Sequence, residues 1–540
     1  MQQSMQPSGA LTRRSFIGAA GVGAAALGLS LGAGSALASP ASAASDKAAS
    51  AASASGDAKK ETGSSAFEVT ADTIAPSETK DVDVVVIGSG MAGFSAALTL
   101  SELAPEASIV LLEKNDTVGG STVMAECPAG ARPFEYTEEE ARAAAAGAQA
   151  DALGVSDPML LYSMFRDAKE NFGWLFDTHG IKYTRQGEAP AFYEGGNGAI
   201  AIETLNKAAQ EAGNIEVLTG TPATQLIVSD PYTVTGVRAK TGEGEYTDYA
   251  TKAVVIATGG MSTNKELLAQ YSSQDMEKII GWGQGQDGDG HLMAEQTAHG
   301  RANHLTVDSL FNNVAGFAYN SPLGACVGMQ PTDFWVNQDG LRFMSENISS
   351  TAVSGKVVEA QGSVWSILDA GAVEKYAQGG CSRHYSGFAD VLVGNPIDGL
   401  QDEIDGYLET CPTECFKADT IEELAGKIGV DAAVLQSEVD AYNTGTDAEW
   451  SKEPEYIWPL ETAPFYAFRV SSGMLNTSGG IRINTNAQVT DARGKVIAGL
   501  YAGGVCTSGW DGEVYGNGTC QANALYCGRT AAKHIAANLL

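Results

Sequence analysis

The first strong pattern in the chain is DVDVVVIGSGMAGFSAALTL, residues 81–100. Val82 to Ile87 is apolar apart from Asp83 and predicts a buried strand. The period then changes, with Met91, Phe94, Leu98 and Leu100 predicting a helix. A second apolar run, Ser108 to Leu112, predicts a strand that ends at Glu113. Strand, helix and strand form a βαβ unit with Gly88, Gly90 and Gly93 at the G-x-G-x-x-G positions. Gly88 allows the tight turn, Gly90 lets the backbone approach a pyrophosphate, and Gly93 lets helix and strand pack closely. The helix start at Met91 and Ala92 offers unpaired N–H groups and a positive dipole to the phosphates. Glu113, twenty residues past Gly93, is placed to accept hydrogen bonds from ribose hydroxyls.

Gly119-Gly120-Ser121-Thr122 follows directly. Two glycines and then two hydroxyls suit a loop against the ribityl chain or isoalloxazine of a flavin. No histidine stands beside that loop, so a covalent histidyl–flavin bond has no candidate there. Residues 215–260 predict a strand meander returning to the sheet, and its last strand ends in Thr258-Gly259-Gly260, a second backbone approach to the dinucleotide. GQDGDGHLMAEQ, 285–296, predicts a glycine turn leading into a helix. Between about 275 and 460 helix and strand patterns mix, including a capped helix in ADTIEELAGKI, 418–428. SGGIRINTNAQVTDARGKVIAGLYAGG, 478–504, returns to a β pattern, and a helix over Ala522 to Leu539 closes the chain. The fold class is α/β: a Rossmann-type FAD-binding domain over 79–270 and 465–540, with an inserted α+β cap for the substrate over 271–464.

The N-terminal region changes where the protein is expected to work. Residues 1–43 carry Arg13-Arg14, then a weakly hydrophobic Gly/Ala run ending at Ala41-Ser42-Ala43. This predicts a twin-arginine export signal and a periplasmic or cell-envelope exterior location. Residues 44–78 are a low-complexity Ala/Ser/Lys stretch expected to be a flexible linker. No later stretch has 18 consecutive apolar residues, so no transmembrane helix is predicted. The net charge is −32 and becomes −34 once Arg13 and Arg14 are removed, which argues against nucleic acid or anionic membrane as a partner. Eight cysteines form no CxxC pair and no CxxCH, so no attached c-type haem is expected. Their scatter resembles buried single cysteines; whether any hold an iron–sulfur cluster stays open, and no other metal site is predicted.

GSGMAG, EKNDTVGGST, VVIATGG, DGDGHLMA, VNQDGLRFMSE, APFYA, TSGGIRINTNAQV and GLYAGG together resemble one flavoprotein family over nearly the whole exported chain. It is the family of soluble fumarate reductases and 3-ketosteroid Δ1-dehydrogenases. The resemblance implies a noncovalent FAD beneath a mobile cap, with hydride passing between flavin N5 and a carbon next to an activating carbonyl or carboxylate. It adds Lys114, Asp289, Gly290 and Gly504 to the cofactor residues. It also implies four pocket positions. Ser350, four residues beyond Glu346 of RFMSE, replaces the Arg acid or Tyr base of relatives and can only relay a proton. Asn476 stands where fumarate reductases have a substrate-binding His. Tyr515 stands where they have a carboxylate-gripping Arg and where the steroid enzymes have a Tyr; Gly518 is the implied source of a backbone N–H beside it.

A buried dicarboxylate needs cationic partners, and these replacements remove them. The expected substrate is therefore a small neutral carbonyl compound, an enone or unsaturated lactone, possessing a C=C that the enzyme reduces. Arg185, His304 and Arg383 are unaligned sources of positive charge, and Tyr193 and Tyr385 are hydroxyls that the sequence does not place. Exported relatives serve anaerobic respiration, so an external electron donor such as a membrane-bound cytochrome or other redox protein is expected. Alternative readings are a 3-ketosteroid Δ1-dehydrogenase, a fumarate- or urocanate-type carboxylate reductase, and a non-catalytic flavin electron-transfer protein.

Overall fold

The computed structural model describes residues 74–130, 132–152, 155–185, 191–271, 276, 279–300, 305–306, 311–314, 321–328, 330–347, 355, 357–358, 360–382, 392–474, 476–511 and 518–540. The strand Glu78–Ile87 lies between Ile109–Leu112 and Glu245–Ile256, parallel to both, with Val86 opposite Leu111 on one side and Val255 on the other. Ile215–Leu218 extends this parallel core beyond Ile109–Leu112, and Val496–Ala502 extends it beyond the end of Glu245–Ile256. The long strands Ala223–Asp230, Thr233–Gly242 and the first half of Glu245–Ile256 form an antiparallel meander off the same sheet. Val84 to Ile87 and Ile109 to Leu112 are buried throughout, as strands covered on both faces must be.

The helix Met91–Leu103 is buried without interruption from Met91 to Leu100, because it is wedged between the sheet and the helix Thr519–Asn538. The two helices meet at Gly528, where a Cβ would stand 2.3 Å from the Ala92 carbonyl oxygen. The last helix starts three residues earlier than its periodicity predicts, at Thr519, and ends at Asn538. The predicted helix within 418–428 spans Ile421–Ile428; the Thr420 hydroxyl caps it by accepting from Glu423 N at 3.1 Å.

A second sheet is built on Phe465–Met474, which pairs antiparallel with Val364–Asp369, Phe311–Val314 and Cys415–Ala418 and parallel with Ile279–Gly281. This moves the boundary expected at 464/465. The strand after Pro464 belongs to the second sheet, and the chain rejoins the first sheet only at Gln488–Thr490. Alternation of apolar residues reveals a strand but not its partners, and APFYAFRVSSGM suits either sheet equally. None of the eight cysteines is in a disulfide, and five of them are buried: Cys326, Cys381, Cys415, Cys506 and Cys527.

The second region holds a buried ionic cluster. Arg342 bonds Glu346 at 3.0 Å and Asp447 at 3.0 Å, while Lys452 bonds Glu346 at 3.2 Å and the Tyr442 hydroxyl at 2.9 Å. Two cations there balance two carboxylates, which leaves Asp333 as surplus. Its Oδ2 accepts from Gln330 N at 2.9 Å, its Oδ1 has no partner, and burial holds its carboxyl well above the usual range. The folded protein thus keeps a proton that the unfolded chain loses above about pH 4. Stability from this group falls as pH rises past that point, by up to about 1.4 kcal/mol per pH unit, until the folded carboxyl ionises. Asp333→Asn removes the titration and keeps the shape. Calorimetry is expected to find its Tm close to wild type near pH 4 and above wild type at pH 7; the same offset at both pH values would mean that Asp333 is ionised.

Candidate active site

The parallel strands end together, and the loops that leave them surround a cleft, the usual place for a ligand in such a sheet. Gly88 turns the chain out of the first strand with φ +103°, and a Cβ there would lie 2.4 Å from the Ala257 carbonyl oxygen. Gly90 caps the helix that begins at Met91, which aims the helix N-terminus at the cleft. Gly88, Gly90, Met91, Ala92, Glu113, Lys114, Gly120, Ser121, Thr122, Thr258, Gly259, Asp289 and Gly504 line this cleft.

Gly93, Gly119, Gly260 and Gly290 were expected among them and instead stand behind the wall. A Cβ on Gly93 would come within 1.8 Å of the Gly88 oxygen, and one on Gly290 within 2.2 Å of the Thr258 hydroxyl. On Gly119 it would meet Val123 at 2.4 Å, and on Gly260 the Thr477 hydroxyl at 2.5 Å. These four hold the lining in place through close packing.

Glu113 is 5% exposed and already bonded: its Oε2 accepts from Ser89 N at 3.1 Å and Ser89 Oγ at 2.5 Å. Its Oε1 accepts from Asn115 N at 2.9 Å and Asn115 Nδ2 at 3.0 Å. Those four bonds fill the carboxylate, so a ribose hydroxyl must displace one donor, and the Asn115 side chain is the movable one. Lys114 bridges Asp287 at 2.7 Å and Asp289 at 2.8 Å; burial opposes its charge, but the two carboxylates outweigh that and raise its pKa. Ser121 Oγ accepts from Gln284 N at 3.0 Å and Gln286 Nε2 at 2.9 Å, closing the cleft on that side.

Two buried polar atoms of the lining, Thr258 Oγ1 and Gln521 Oε1, have no partner among the described residues. Each such atom costs about 1–3 kcal/mol until a ligand satisfies it. A polyhydroxylated flavin dinucleotide offers both hydroxyls and ring N–H or carbonyl groups, so the residues present fit FAD. Ser89, Asn115, Gln284, Gly285, Gln286, Met293, Cys520 and Gln521 also line the cleft and were not singled out from the sequence. Only Gln284 to Gln286 had a local signal, the GQGQDGDG turn. Val505 also lines the cleft.

Of the four expected pocket residues, Ser350 and Tyr515 lie outside the described residues, as do His304, Arg383 and Tyr385. Gly518, with φ +80°, directly precedes the last helix, and a Cβ on it would fall 2.2 Å from the Ala129 carbonyl carbon. Backbone pressed on backbone accounts for the glycine, and Gly518 is not part of the cleft lining. Asn476 is buried on the turn after Met474; it does not line the cleft either. Its neighbour Thr477 accepts from Met261 N at 3.2 Å and packs on Gly260, which puts Asn476 at the seam between the two sheets, next to the cleft's Gly259 end.

A Rossmann-type sheet with this glycine turn and cleft defines an FAD-dependent oxidoreductase fold. Residues 181–520 match the family described as FAD binding domain, and residues 82–278 match pyridine nucleotide-disulphide oxidoreductases. The chain belongs to the FAD binding domain family and is an FAD-dependent oxidoreductase of the fumarate-reductase-like flavoproteins. It is 30% identical to the vinyl phenol reductase of Lactiplantibacillus plantarum over 480 residues, 84% of this chain and 96% of that one. A flavocytochrome c3 fumarate reductase in an open conformation superposes with TM-score 0.64 at 26% identity, covering 86% of this chain and 79% of the other. A 3-ketosteroid Δ1-dehydrogenase from Sterolibacterium denitrificans shares the fold, with TM-score 0.67 at 19% identity over 85% of this chain and 100% of that chain. No described helix is long and apolar enough to cross a membrane.

Proposed function

We propose that the protein is an exported reductase that saturates a C=C conjugated to a neutral carbonyl, an enone or unsaturated lactone, with FAD held noncovalently. The reading rests on the resemblance drawn from the sequence, by which Ser350, Asn476 and Tyr515 stand where fumarate reductases have cations. Arg185 Nη2 donates to the Arg132 carbonyl oxygen at 2.7 Å, and its guanidinium lies 4.6 Å over the Phe134 ring. The Lactiplantibacillus relative, named for a neutral phenol, agrees with an uncharged substrate and makes a vinyl phenol the second candidate.

Bound FAD would supply a hydride at N5 for the carbon β to the carbonyl, while the α-carbon takes a proton. In this reading Tyr515 donates a hydrogen bond to the oxygen on which negative charge develops, at no cost in buried charge. Ser350 relays protons. The twin-arginine signal sends the folded, loaded protein out of the cytoplasm, where an external cytochrome or other redox protein supplies the electrons.

The test is flavin reoxidation. The FAD-loaded protein is reduced with dithionite or viologen and mixed with an enone, an unsaturated lactone, a vinyl phenol, fumarate and urocanate. Reoxidation by the neutral compounds is expected. Reoxidation by fumarate or urocanate alone would overturn the neutral-substrate reading.

A further inference from the structure

The walls of the cleft come from different parts of the fold. Lys114 and Asn115 follow the end of Ile109–Leu112 in the first sheet, and Ser121 stands in the short helix Gly120–Met124 beyond them. Gln284, Gly285, Gln286 and Asp289 line the cleft from a connection that leaves Ile279–Gly281 of the second sheet and enters the helix Asp289–Ala294.

That connection is held differently on its two sides. Its main chain is bonded to residues 260–264. Thr263 N and Oγ1 donate to the Gln286 carbonyl oxygen at 3.1 and 2.7 Å, Asn264 Nδ2 to the Asp287 carbonyl oxygen at 2.9 Å, and Gly288 N to the Gly260 oxygen at 3.1 Å. Its hold on the first sheet runs through side chains. Lys114 pairs with Asp287 at 2.7 Å and Asp289 at 2.8 Å, and Ser121 Oγ accepts from Gln284 N and Gln286 Nε2. The two walls touch there: a Cβ on Gly285 would stand 2.8 Å from Asn115 Nδ2 and 3.1 Å from Lys114 Cε. The side chains of Lys114, Asp287 and Asp289 are 23%, 44% and 17% exposed, so water and salt reach these ion pairs. The line of parting is therefore between Lys114 and the two carboxylates, not between the connection and residues 260–264.

We propose that Lys114, Asp287 and Asp289 form a latch that gates exchange of FAD, the 284–289 connection having to part from Lys114 before the cofactor enters or leaves the cleft. The inference rests on the noncovalent holding of FAD, since only an exchangeable cofactor uses a gate. Lys114 is a positioning residue in this role: it holds one wall against the other and exchanges no proton or electron.

The experiment follows FAD uptake by apoprotein and FAD release from holoprotein, by flavin fluorescence, in wild type, Lys114→Met and Lys114→Arg. Lys114→Met is expected to speed uptake and release alike, about tenfold each, the scale of two partly exposed ion pairs. Faster uptake is the discriminating result. Removing a cation that only attracts the pyrophosphate would slow uptake, and removing a contact to bound FAD would speed release alone. Lys114→Arg can pair with both carboxylates and should bring both rates back toward wild type. Release from wild type should quicken with added salt, and release from Lys114→Met should not. Uptake by Lys114→Met no faster than wild type would overturn the inference, as would release from wild type that ignores salt. Melting of the apoproteins reports whether Lys114→Met folds. Asp287→Asn, which breaks one pair and does not line the cleft, is the second variant: about threefold faster release is expected, and an unchanged rate would overturn the inference. If denaturation frees no flavin from wild type, the noncovalent reading fails and the latch with it. If it frees flavin and Lys114→Met exchanges it as wild type does, the latch fails alone.

Discussion

Gly90→Ala is expected to give a folded protein that has lost most of its affinity for FAD. A Cβ on Gly90 meets only ordinary contacts within the chain, the Thr122 hydroxyl at 3.5 Å and the Gly119 oxygen at 3.7 Å. Nothing in the apoprotein opposes the methyl, and alanine tolerates the extended backbone there, φ −74° and ψ −171°. The methyl instead occupies the approach to the pyrophosphate. Overpacking of this kind costs about 1–3 kcal/mol, so affinity should fall on the order of 10²-fold. Gly93→Ala is the contrasting variant. Its Cβ would fall 1.8 Å from the Gly88 backbone oxygen, forcing helix and strand apart, so this change should destabilise the apoprotein itself. Titration of apoprotein with FAD, beside melting of the apoproteins, separates the two. Equal affinity in Gly90→Ala and wild type would refute the placement of the pyrophosphate at this turn.

Tyr515→Phe is expected to lower turnover about 10²-fold with FAD retained, the effect of one oxyanion donor. The loss should fall mainly on kcat, because the phenol's bond strengthens as charge builds on the substrate oxygen. The loop that carries Tyr515 is anchored at both ends. Before it, Trp510 Nε1 donates to the Thr507 hydroxyl at 2.8 Å; after it, Gly518 is locked against Ala129 and Gly130. Stopped-flow reoxidation by an enone gives the chemical step directly. Unchanged turnover in a protein with full FAD content would remove Tyr515 from the mechanism.

The dinucleotide half of the site was legible because its determinants are local. Gly88, Gly90, the helix behind them and Glu113 lie within 26 residues, and their spacing encodes a turn, a helix N-terminus and a strand end. Spacing also placed Thr258 and Gly259, since parallel strands in such a sheet end side by side. Motif position also separated Gly90, which faces the ligand, from Gly93, which packs behind it 1.8 Å from Gly88 once a Cβ is added. Outside the motif no such rule exists: Gly119 and Gly260 were expected at the cofactor and stand behind the lining, where a Cβ would meet Val123 and Thr477. Ser89, Asn115 and Gln521 escaped notice because common polar residues acquire meaning only from the partners the fold brings to them.

By itself the sequence determined the α/β class and the FAD turn, for these rest on side-chain type and short-range period. The tertiary structure alone decided that Phe465–Met474 belongs to the second sheet and that Asp333 is the surplus acid of a buried ionic cluster. Both depend on contacts between residues far apart in the chain. A strand's partner and a carboxyl's counter-charge are properties of surroundings that no local pattern carries.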